Sequence, residues 1–152
     1  MIKLFRKICI LTLVLLLTVS FATATTNGDN ESIITKEDGY IVKPAEDTET
    51  SVGIMTVSDS ISQGETDWHN KYVEDGSTIL NVDLNWGDVD DSLKLTIYTA
   101  DGHKLGPYYD SDDGTIDGRI NLDVENPNGL ASGNWKYKVY GQQVDGTEDY
   151  TI

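Results

Sequence analysis

Two short acidic segments, residues 88–91 and 110–113, carry residues of the type that binds a hard cation. Calcium takes about six to eight oxygen ligands from carboxylates, carbonyls and water, in loops that wrap around the ion. The second segment begins like an EF-hand loop, but Gly114 falls one position early and the twelfth position is Asn121 rather than glutamate. The competing interpretation is that the aspartates form turns by accepting hydrogen bonds from their own backbone. Calcium is therefore the one candidate cofactor, and its candidate ligands are Asp88, Asp90 and Asp91 in the first segment and Asp110, Asp112 and Asp113 in the second.

Aromatic residues supply a second kind of candidate site. Exposed flat rings stack on sugar faces and cost little side-chain entropy to present. Trp86 and Trp135 alternate with polar residues in apolar segments, and we expect them in the core. The alternative for any outward tyrosine is that it covers the sheet without binding a ligand. The candidate platform for a carbohydrate or another polymer consists of Tyr98, Tyr108, Tyr109 and Tyr140.

The residues offer little for catalysis. A nucleophile needs a base within reach, and outside the first 24 residues the only histidines are His69 and His103, with no cysteine. Neither histidine lies in a nucleophile-elbow or zinc-protease motif. The sequence predicts a protein that is not an enzyme. A small hydrolase that depends on His69 or His103 is a distant alternative.

The segments that would position these residues have the period-two alternation of β-strands. Glycine-containing turns such as Asp101-Gly102 and Asp145-Gly146 separate them, and no segment has apolar residues at helical spacing. The pattern predicts an all-β fold, an antiparallel β-sandwich of about eight strands of jelly-roll or Greek-key type. The eight predicted strands are 53–57, 66–73, 78–86, 92–99, 104–109, 116–124, 134–140 and 147–152.

The same alternation predicts which side chains face the core. Each fully buried aliphatic residue contributes about 1.5–3 kcal/mol, so a core of this size stabilises the domain without disulfides. The predicted inward residues are Leu80, Val82, Leu84, Trp86, Leu93, Leu95, Ile97, Ile120, Leu122, Val124, Trp135, Tyr137 and Val139.

The N-terminal part of the chain predicts export. Residues 1–24 have a basic start, an uncharged stretch of about 12 residues and a small-residue cleavage site, as in a secretory signal peptide. An uncleaved anchor is the alternative. Residues 25–51 are polar and acidic and are predicted to be a flexible linker, and residues 52–152 are predicted to form the sandwich. We expect a secreted or cell-surface protein with no membrane span after cleavage.

The charge narrows the choice of partners. The chain has 11 basic and 26 acidic residues, and its net charge is −15. Three of the basic residues lie in residues 1–24, so removal of this segment leaves 8 − 26 = −18. Such a surface repels phosphate backbones and anionic headgroups, so we predict no nucleic-acid partner.

Several motifs resemble those of pre-peptidase C-terminal domains of bacteria and archaea. They include Asp67-Trp68, the strand that ends at Trp86-Gly87-Asp88, and the closing segment that begins Gly133-Asn134-Trp135. The resemblance covers roughly residues 53–152, and it implies a non-catalytic β-sandwich appendage of exported enzymes, some relatives of which bind calcium and extracellular polymers. The 152 residues contain no peptidase segment, so we expect a role that does not depend on an enzyme in the same chain.

The sequence therefore predicts a secreted, non-catalytic binding module, with calcium as a candidate stabiliser of its loops. Its expected partner is an extracellular polymer, a component of the cell envelope or another protein. The alternative is a structural component of the envelope that self-associates.

Overall fold

The computed structural model describes residues 32–46 and 56–152, which form two antiparallel β-sheets packed face to face. The predicted all-β sandwich is confirmed, with ten strands in the described residues rather than about eight. The strands are β1 (Thr35–Glu37), β2 (Tyr40–Pro44), β3 (Ser58–Ser62), β4 (Thr66–Val73), β5 (Ile79–Asn85), β6 (Ser92–Tyr98), β7 (Lys104–Tyr108), β8 (Arg119–Glu125), β9 (Gly133–Gln143) and β10 (Thr147–Thr151), with a short 3₁₀ helix at Asp110–Asp113.

The chain passes between the sheets at most of its connections. One sheet has six strands in the order β1-β2-β8-β5-β10-β3, and the other has four in the order β4-β9-β6-β7. Sequential strands pair with each other only in the β1–β2 and β6–β7 hairpins. This alternation between sheets is the connectivity found in Greek-key and jelly-roll sandwiches.

The core lies between the sheets and contains the residues that the alternation predicts. Of the thirteen predicted inward residues, twelve are buried, and Leu80 is half-buried against them. Each strand places every second side chain inside, because successive side chains of a strand point to opposite faces. The core also contains residues that the alternation did not identify, including Ile61, Leu105 and Tyr150.

A hairpin at residues 35–44 corrects the predicted linker. Strands β1 and β2 meet at a turn of Asp38 and Gly39, which both have positive φ, and β2 pairs with β8. Tyr40 and Val42 are fully buried at 1% and 0% exposure. The prediction failed here because the acidic composition outweighed an Asp-Gly turn beside an alternating apolar pair, which is a hairpin signal. Residues 1–31 and 47–55 lie outside the described residues, and with them the predicted signal peptide and the rest of the linker.

The hairpin is also tied to the opposite sheet. The Tyr40 hydroxyl donates to the Asp101 carboxylate at 3.0 Å, and the Tyr40 ring packs edge-on against Trp135, with 5.7 Å between ring centroids. Burial and this hydrogen bond raise the pKa of Tyr40. Burial opposes ionisation of Asp101, but hydrogen bonds from Thr99 and Tyr40 outweigh it and lower the pKa of that carboxyl. The hairpin is therefore part of the sandwich.

Some strand boundaries also differ from the prediction. Residues 53–55 of the strand predicted at 53–57 lie outside the described residues, and residues 56 and 57 belong to no strand. The first strand after them is β3, at Ser58–Ser62, an edge strand that pairs with β10. Its first three residues are exposed and polar and carry no apolar alternation, so only Ile61 reaches the core. Strand β8 begins at Arg119 rather than at residue 116. In the described part of the chain, no helix has the length and apolarity of a membrane span.

Candidate functional site

Two aspartates of the first acidic segment, Asp88 and Asp91, hold its loop in place. The Asp88 carboxylate accepts the backbone N–H of Asp90 at 2.9 Å, and the Asp91 carboxylate accepts that of Asp145 at 3.0 Å. The buried Trp86 indole donates to the Asp88 carbonyl at 2.8 Å and to the Asp91 carbonyl at 3.3 Å. Desolvation and the nearby Asp91 raise the pKa of Glu148, on β10. The first segment is thus a loop fixed by hydrogen bonds to its own backbone and to the β9–β10 turn.

The aspartates of the second segment act in the same way. The buried Asp110 carboxylate accepts three backbone N–H groups, from residues 117, 118 and 119, at 3.1–3.3 Å. Asp112 accepts the N–H of Tyr109 at 2.9 Å. Asp113 accepts those of Thr115 and Asn121 at 3.1 and 2.9 Å, and desolvation raises its pKa. These bonds fix the 3₁₀ helix against the start of β8.

Gly118 lies where the two acidic segments meet. It has φ +76°, and a Cβ atom there would lie 2.7 Å from the backbone N of Asp88 and from the carbonyl carbon of Gly87. Its N–H donates to Asp110, and its carbonyl accepts the N–H groups of Trp86 and Gly87. Only glycine permits both this φ and this close approach.

The structure brings the two acidic segments together without forming a ligand cluster. Asp90, Asp91, Tyr109 and Asp110 line one shared cavity of about 260 Å³. Within residues 32–46 and 56–152, no three Asp, Glu, His or Cys side chains are grouped so that they could hold a metal ion. The carboxylates, Asp90 apart, instead accept backbone N–H groups, so the described arrangement does not fit a calcium ligand set. Calcium binding stays a prediction from the sequence.

The predicted tyrosine platform divides into three parts. Tyr98 and Tyr140 lie on the outward side of the four-stranded sheet, as predicted from their inward neighbours Ile97 and Val139. Tyr109 is half-buried beside the 3₁₀ helix and lines a cavity with residues of both acidic segments. Tyr108 contradicts the prediction, because it is 1% exposed and belongs to the core.

A β-bulge explains the position of Tyr108. The pairing of β6 with β7 shifts between Leu95 and Ile97, so that Leu105 and Tyr108 both face inward although they are three residues apart. Gly106 has φ +90° and lies against the Tyr108 ring, where a Cβ atom would come within 2.9 Å of it. Simple alternation from Leu105 places Tyr108 outside, and only the bulge reverses this.

Two aromatic residues of β4, which the predicted platform does not include, join Tyr98 and Tyr140. Trp68 is 52% exposed and Tyr72 is 59% exposed. The rings of Trp68 and Tyr98 lie 5.4 Å apart at an interplanar angle of 42°. The signal in the sequence was the alternation of Trp68, Asn70 and Tyr72, which share one face of a strand. It was missed because a large aromatic residue is more often placed inside.

We call the outward side of the four-stranded sheet the outer face. Residues that pair across neighbouring strands share a face, so the register defines its rows. A groove of about 640 Å³ runs beside the Trp68–Tyr98 pair and is lined in addition by Asn70, Asn134 and Lys136. The rows across the strands are Thr66, Tyr140 and Lys94; then Trp68, Lys138 and Thr96; then Asn70, Lys136, Tyr98 and Lys104.

The charge of this sheet is opposite to that of the whole chain. Its four strands contain five lysines and a single carboxylate, Asp67. Asp67 points inward and accepts the Tyr150 hydroxyl at 3.0 Å. Four of the lysines lie on the outer face, and within the described residues none of the four forms an ion pair, although Lys94 Nζ lies 4.4 Å from the centroid of the Tyr140 ring. These four are Lys94, Lys104, Lys136 and Lys138.

The six-stranded sheet has the opposite character. Its strands contain seven carboxylates and three basic residues. Two of the basic residues are paired: Lys43 with Glu125 at 2.8 Å and Arg119 with Asp83 at 2.7 Å. Most of the positive charge on the six-stranded sheet is therefore neutralised, whereas the four lysines of the outer face are left available.

Both histidines are engaged by neighbours. His69 Nε2 lies 2.7 Å from the Tyr150 hydroxyl, and burial and the bond to Asp67 raise the pKa of Tyr150. His103 lies between Asp38, at 3.1 Å from Nδ1, and Asp101, at 3.6 Å from Nε2. In the described residues, neither imidazole is hydrogen-bonded to a serine or threonine hydroxyl.

The fold and the outer face together define a β-sandwich protein with one aromatic, basic sheet face on an acidic body. The chain is 45% identical over 51 residues to an uncharacterized protein of Archaeoglobus fulgidus, a match that covers 34% of this chain and 71% of that protein. The chain belongs to the same family as this archaeal protein. No protein-family model matches the chain, and the resemblance to pre-peptidase C-terminal domains stays a prediction.

Proposed function

We propose that the protein is a non-catalytic module that binds an extracellular polymer through the outer face. The observation that carries the proposal is the Trp68–Tyr98 pair beside an open groove. The two adjacent rings, tilted at 42° to each other, offer apolar faces on which flat sugar faces can stack. The amide side chains of Asn70 and Asn134 line the same groove and offer both donors and acceptors to hydroxyl groups.

The platform is held on rigid elements. Tyr98 and Lys136 lie on the two central strands of the sheet, β6 and β9, which pair along most of their length. Directly beneath them, Ile97 and Trp135 are fully buried. Binding surfaces built on packed strands lose little entropy when a ligand arrives. This rigidity supports recognition of an extended ligand without rearrangement.

Substitution of Trp68 tests the proposal. Trp68→Ala removes half of the ring pair, and the loss of about 1–1.5 kcal/mol of stacking corresponds to about a tenfold fall in affinity. Ile79→Ala is the matched control, because Ile79 is also 52% exposed but lies on β5 of the other sheet. The measurement is retardation of the purified protein in gels that contain soluble polysaccharides, and its co-sedimentation with isolated cell envelopes. Equal binding by both variants would contradict the proposed function.

A structural component of the envelope that self-associates is the second candidate function. The observation in its favour is that the basic outer face of one copy is complementary in charge to the acidic six-stranded sheet of another. Sedimentation velocity over a range of protein and salt concentrations distinguishes the two. Salt-sensitive, concentration-dependent assembly would favour this candidate. Deletion of residues 25–51 is not a clean test, because it also removes the buried Tyr40 and Val42.

Secretion and placement outside the cell are part of the same proposal. They rest on the predicted signal peptide in residues 1–24, which lie outside the described part of the chain. Fractionation of cells that express the protein with a C-terminal tag is the direct test. A tagged product that has lost about 24 residues and appears in the medium or on the envelope is the expected result.

A further inference from the structure

We propose that the polymer bound by the outer face is an acidic polysaccharide, one whose sugar rings carry carboxylates or other anionic groups. This inference rests on the proposed function and names the class of ligand for the same face. It is based on the distribution of charge over the two sheets, which the aromatic platform alone does not require.

The first step is that the outer face keeps its positive charge unpaired. The four strands that build it carry five of the eight basic residues found after residue 24. Their single carboxylate, Asp67, points away from this face toward Tyr150. A protein with 26 acidic residues offers many carboxylates for pairing, and on the six-stranded sheet Lys43 and Arg119 are paired. The outer face therefore presents cations that an anionic ligand can use.

The second step is that the cations alternate with the rings. Lys136 and Lys138 are two residues apart on β9, so their Cα atoms are about 6.8 Å apart, within one Debye length at physiological salt. Lys138 lies beside Trp68 in the register, and Lys136 lies beside Tyr98. A chain that stacks its rings on this pair of aromatic residues brings any carboxylate it carries close to at least one ammonium group.

The third step separates an acidic glycan from other polyanions. Rings and lysines together also suit single-stranded nucleic acid, which stacks its bases on aromatic side chains. The chain as a whole carries −15, however, and repels a densely charged phosphate backbone wherever that backbone extends beyond the outer face. A polysaccharide that carries a carboxylate on every second sugar has a lower charge density than such a backbone. The Asn70 and Asn134 amides in the groove also suit hydroxyl groups.

The test uses acidic polysaccharides and their neutralised forms. Polygalacturonate, alginate and hyaluronan are each compared with the same polymer after methyl esterification of its carboxylates, in affinity gels at 50 mM and 500 mM NaCl. We expect at least one acidic polymer to bind about tenfold more tightly than its ester at low salt, and the difference to shrink at high salt. Lys136→Gln and Lys138→Gln should each weaken binding to the acidic polymer by about two- to fivefold, and leave binding to the ester unchanged.

Lys36→Gln is the matched control, because it makes the same change in net charge on β1 of the other sheet. If Lys36→Gln weakened binding to the acidic polymer as much as Lys136→Gln does, only the net charge of the protein would matter, and the proposal would be overturned. Esters that bind as tightly as the acids, in a manner that depends on Trp68, would also overturn it while leaving the proposed function intact. Single-stranded DNA bound as tightly as the best acidic polymer would overturn the ligand class. Retention by none of these polymers, neutral glycans or envelopes would overturn the inference and the proposed function together.

Discussion

Replacement of Asp110 by asparagine separates the two interpretations of the acidic segments, calcium ligands or fixed turns. The Asp110 carboxylate is buried and accepts the N–H groups of Asp117 and Arg119 at Oδ1, at 3.1 and 3.3 Å. Oδ2 accepts the N–H of Gly118 at 3.2 Å. Asparagine has nearly the same shape but replaces one oxygen with an NH₂ group. In either orientation of the amide, at least one backbone donor then faces another donor.

The expected loss of stability follows from these three hydrogen bonds. A buried N–H group that loses its acceptor costs about 1–3 kcal/mol. The remaining bonds lose a charged acceptor, which makes a hydrogen bond roughly twice as strong as a neutral one does. We therefore expect Asp110→Asn to lower the free energy of unfolding by about 2–4 kcal/mol. For a domain of about 100 residues this corresponds to a fall in Tm of about 10 °C or more.

The assay is thermal unfolding of the wild-type protein, Asp110→Asn and Asp90→Asn in EDTA, in millimolar calcium and in millimolar magnesium. The Asp90 carboxylate forms no hydrogen bond with the described residues, so we expect Asp90→Asn to change stability by less than about 0.5 kcal/mol. If Asp110 acts through backbone amides, Asp110→Asn lowers Tm equally in all three conditions. Both ions should raise the wild-type Tm by small, equal amounts, because they screen the same negative charge.

A calcium-selective pattern would refute this reasoning. Saturation of a site at about 100 times its dissociation constant stabilises the fold by about 2.7 kcal/mol, a shift of several degrees. If that shift appeared with calcium alone and disappeared in Asp110→Asn, the carboxylate would be a calcium ligand. The hydrogen bonds to the three amides would then be rearranged in the calcium-bound protein.

Three further substitutions test the hairpin, the close approach of the loops and the repulsion near β10. Tyr40→Phe removes a donor to a carboxylate and should lower stability by about 1–2 kcal/mol, and an unchanged Tm would mean that the β1–β2 hairpin does not dock as described. Gly118→Ala should lower the free energy of unfolding by at least about 2 kcal/mol more than Gly146→Ala does. Both glycines have positive φ, but only Gly118 has backbone atoms within 3 Å of an added Cβ. Equal losses of stability in denaturant unfolding would contradict this. The raised pKa of Glu148 means that the folded state holds this proton more tightly than the unfolded chain does, so the stability that Glu148 contributes falls as pH rises through that pKa. Glu148→Gln should therefore raise Tm by about 1–4 °C at pH 7 but not at pH 4, and the same effect at both values would contradict the origin assigned to the shift.

The sequence was sufficient for the strands that alternate strictly. Strands β5, β6, β8 and β9 have apolar residues at every second position between glycine-containing turns, and their inward residues were predicted. The β1–β2 hairpin was not predicted, because its only apolar alternation is a pair of residues within an acidic segment. Pairing with β8 makes these short strands stable, and that pairing depends on residues 78–84 positions away. Such long-range support does not appear in a local pattern.

The candidate site was predictable where strands are regular and not where they are interrupted. Tyr98 and Tyr140 follow from alternation within β6 and β9. The inward position of Tyr108 depends on a bulge, and a bulge shifts every later side chain of its strand to the other face. The roles of the aspartates depend on which amides the folded loops bring to them. Asp110, for example, accepts bonds from residues seven to nine positions later.

Strand β4 gives an independent argument that the outer face has a function. Its alternation offers two choices: Trp68 and Tyr72 face inward, or Asp67 and His69 do. Burial of apolar surface favours the first choice, because a buried aspartate needs compensating hydrogen bonds. The protein adopts the second, and the Tyr150 hydroxyl, on the opposite sheet, donates to the Asp67 carboxylate and lies 2.7 Å from His69 Nε2. A fold that turns a half-buried polar pair toward the other sheet and keeps a tryptophan 52% exposed departs from the pattern that stability alone favours, and such departures are expected at functional sites.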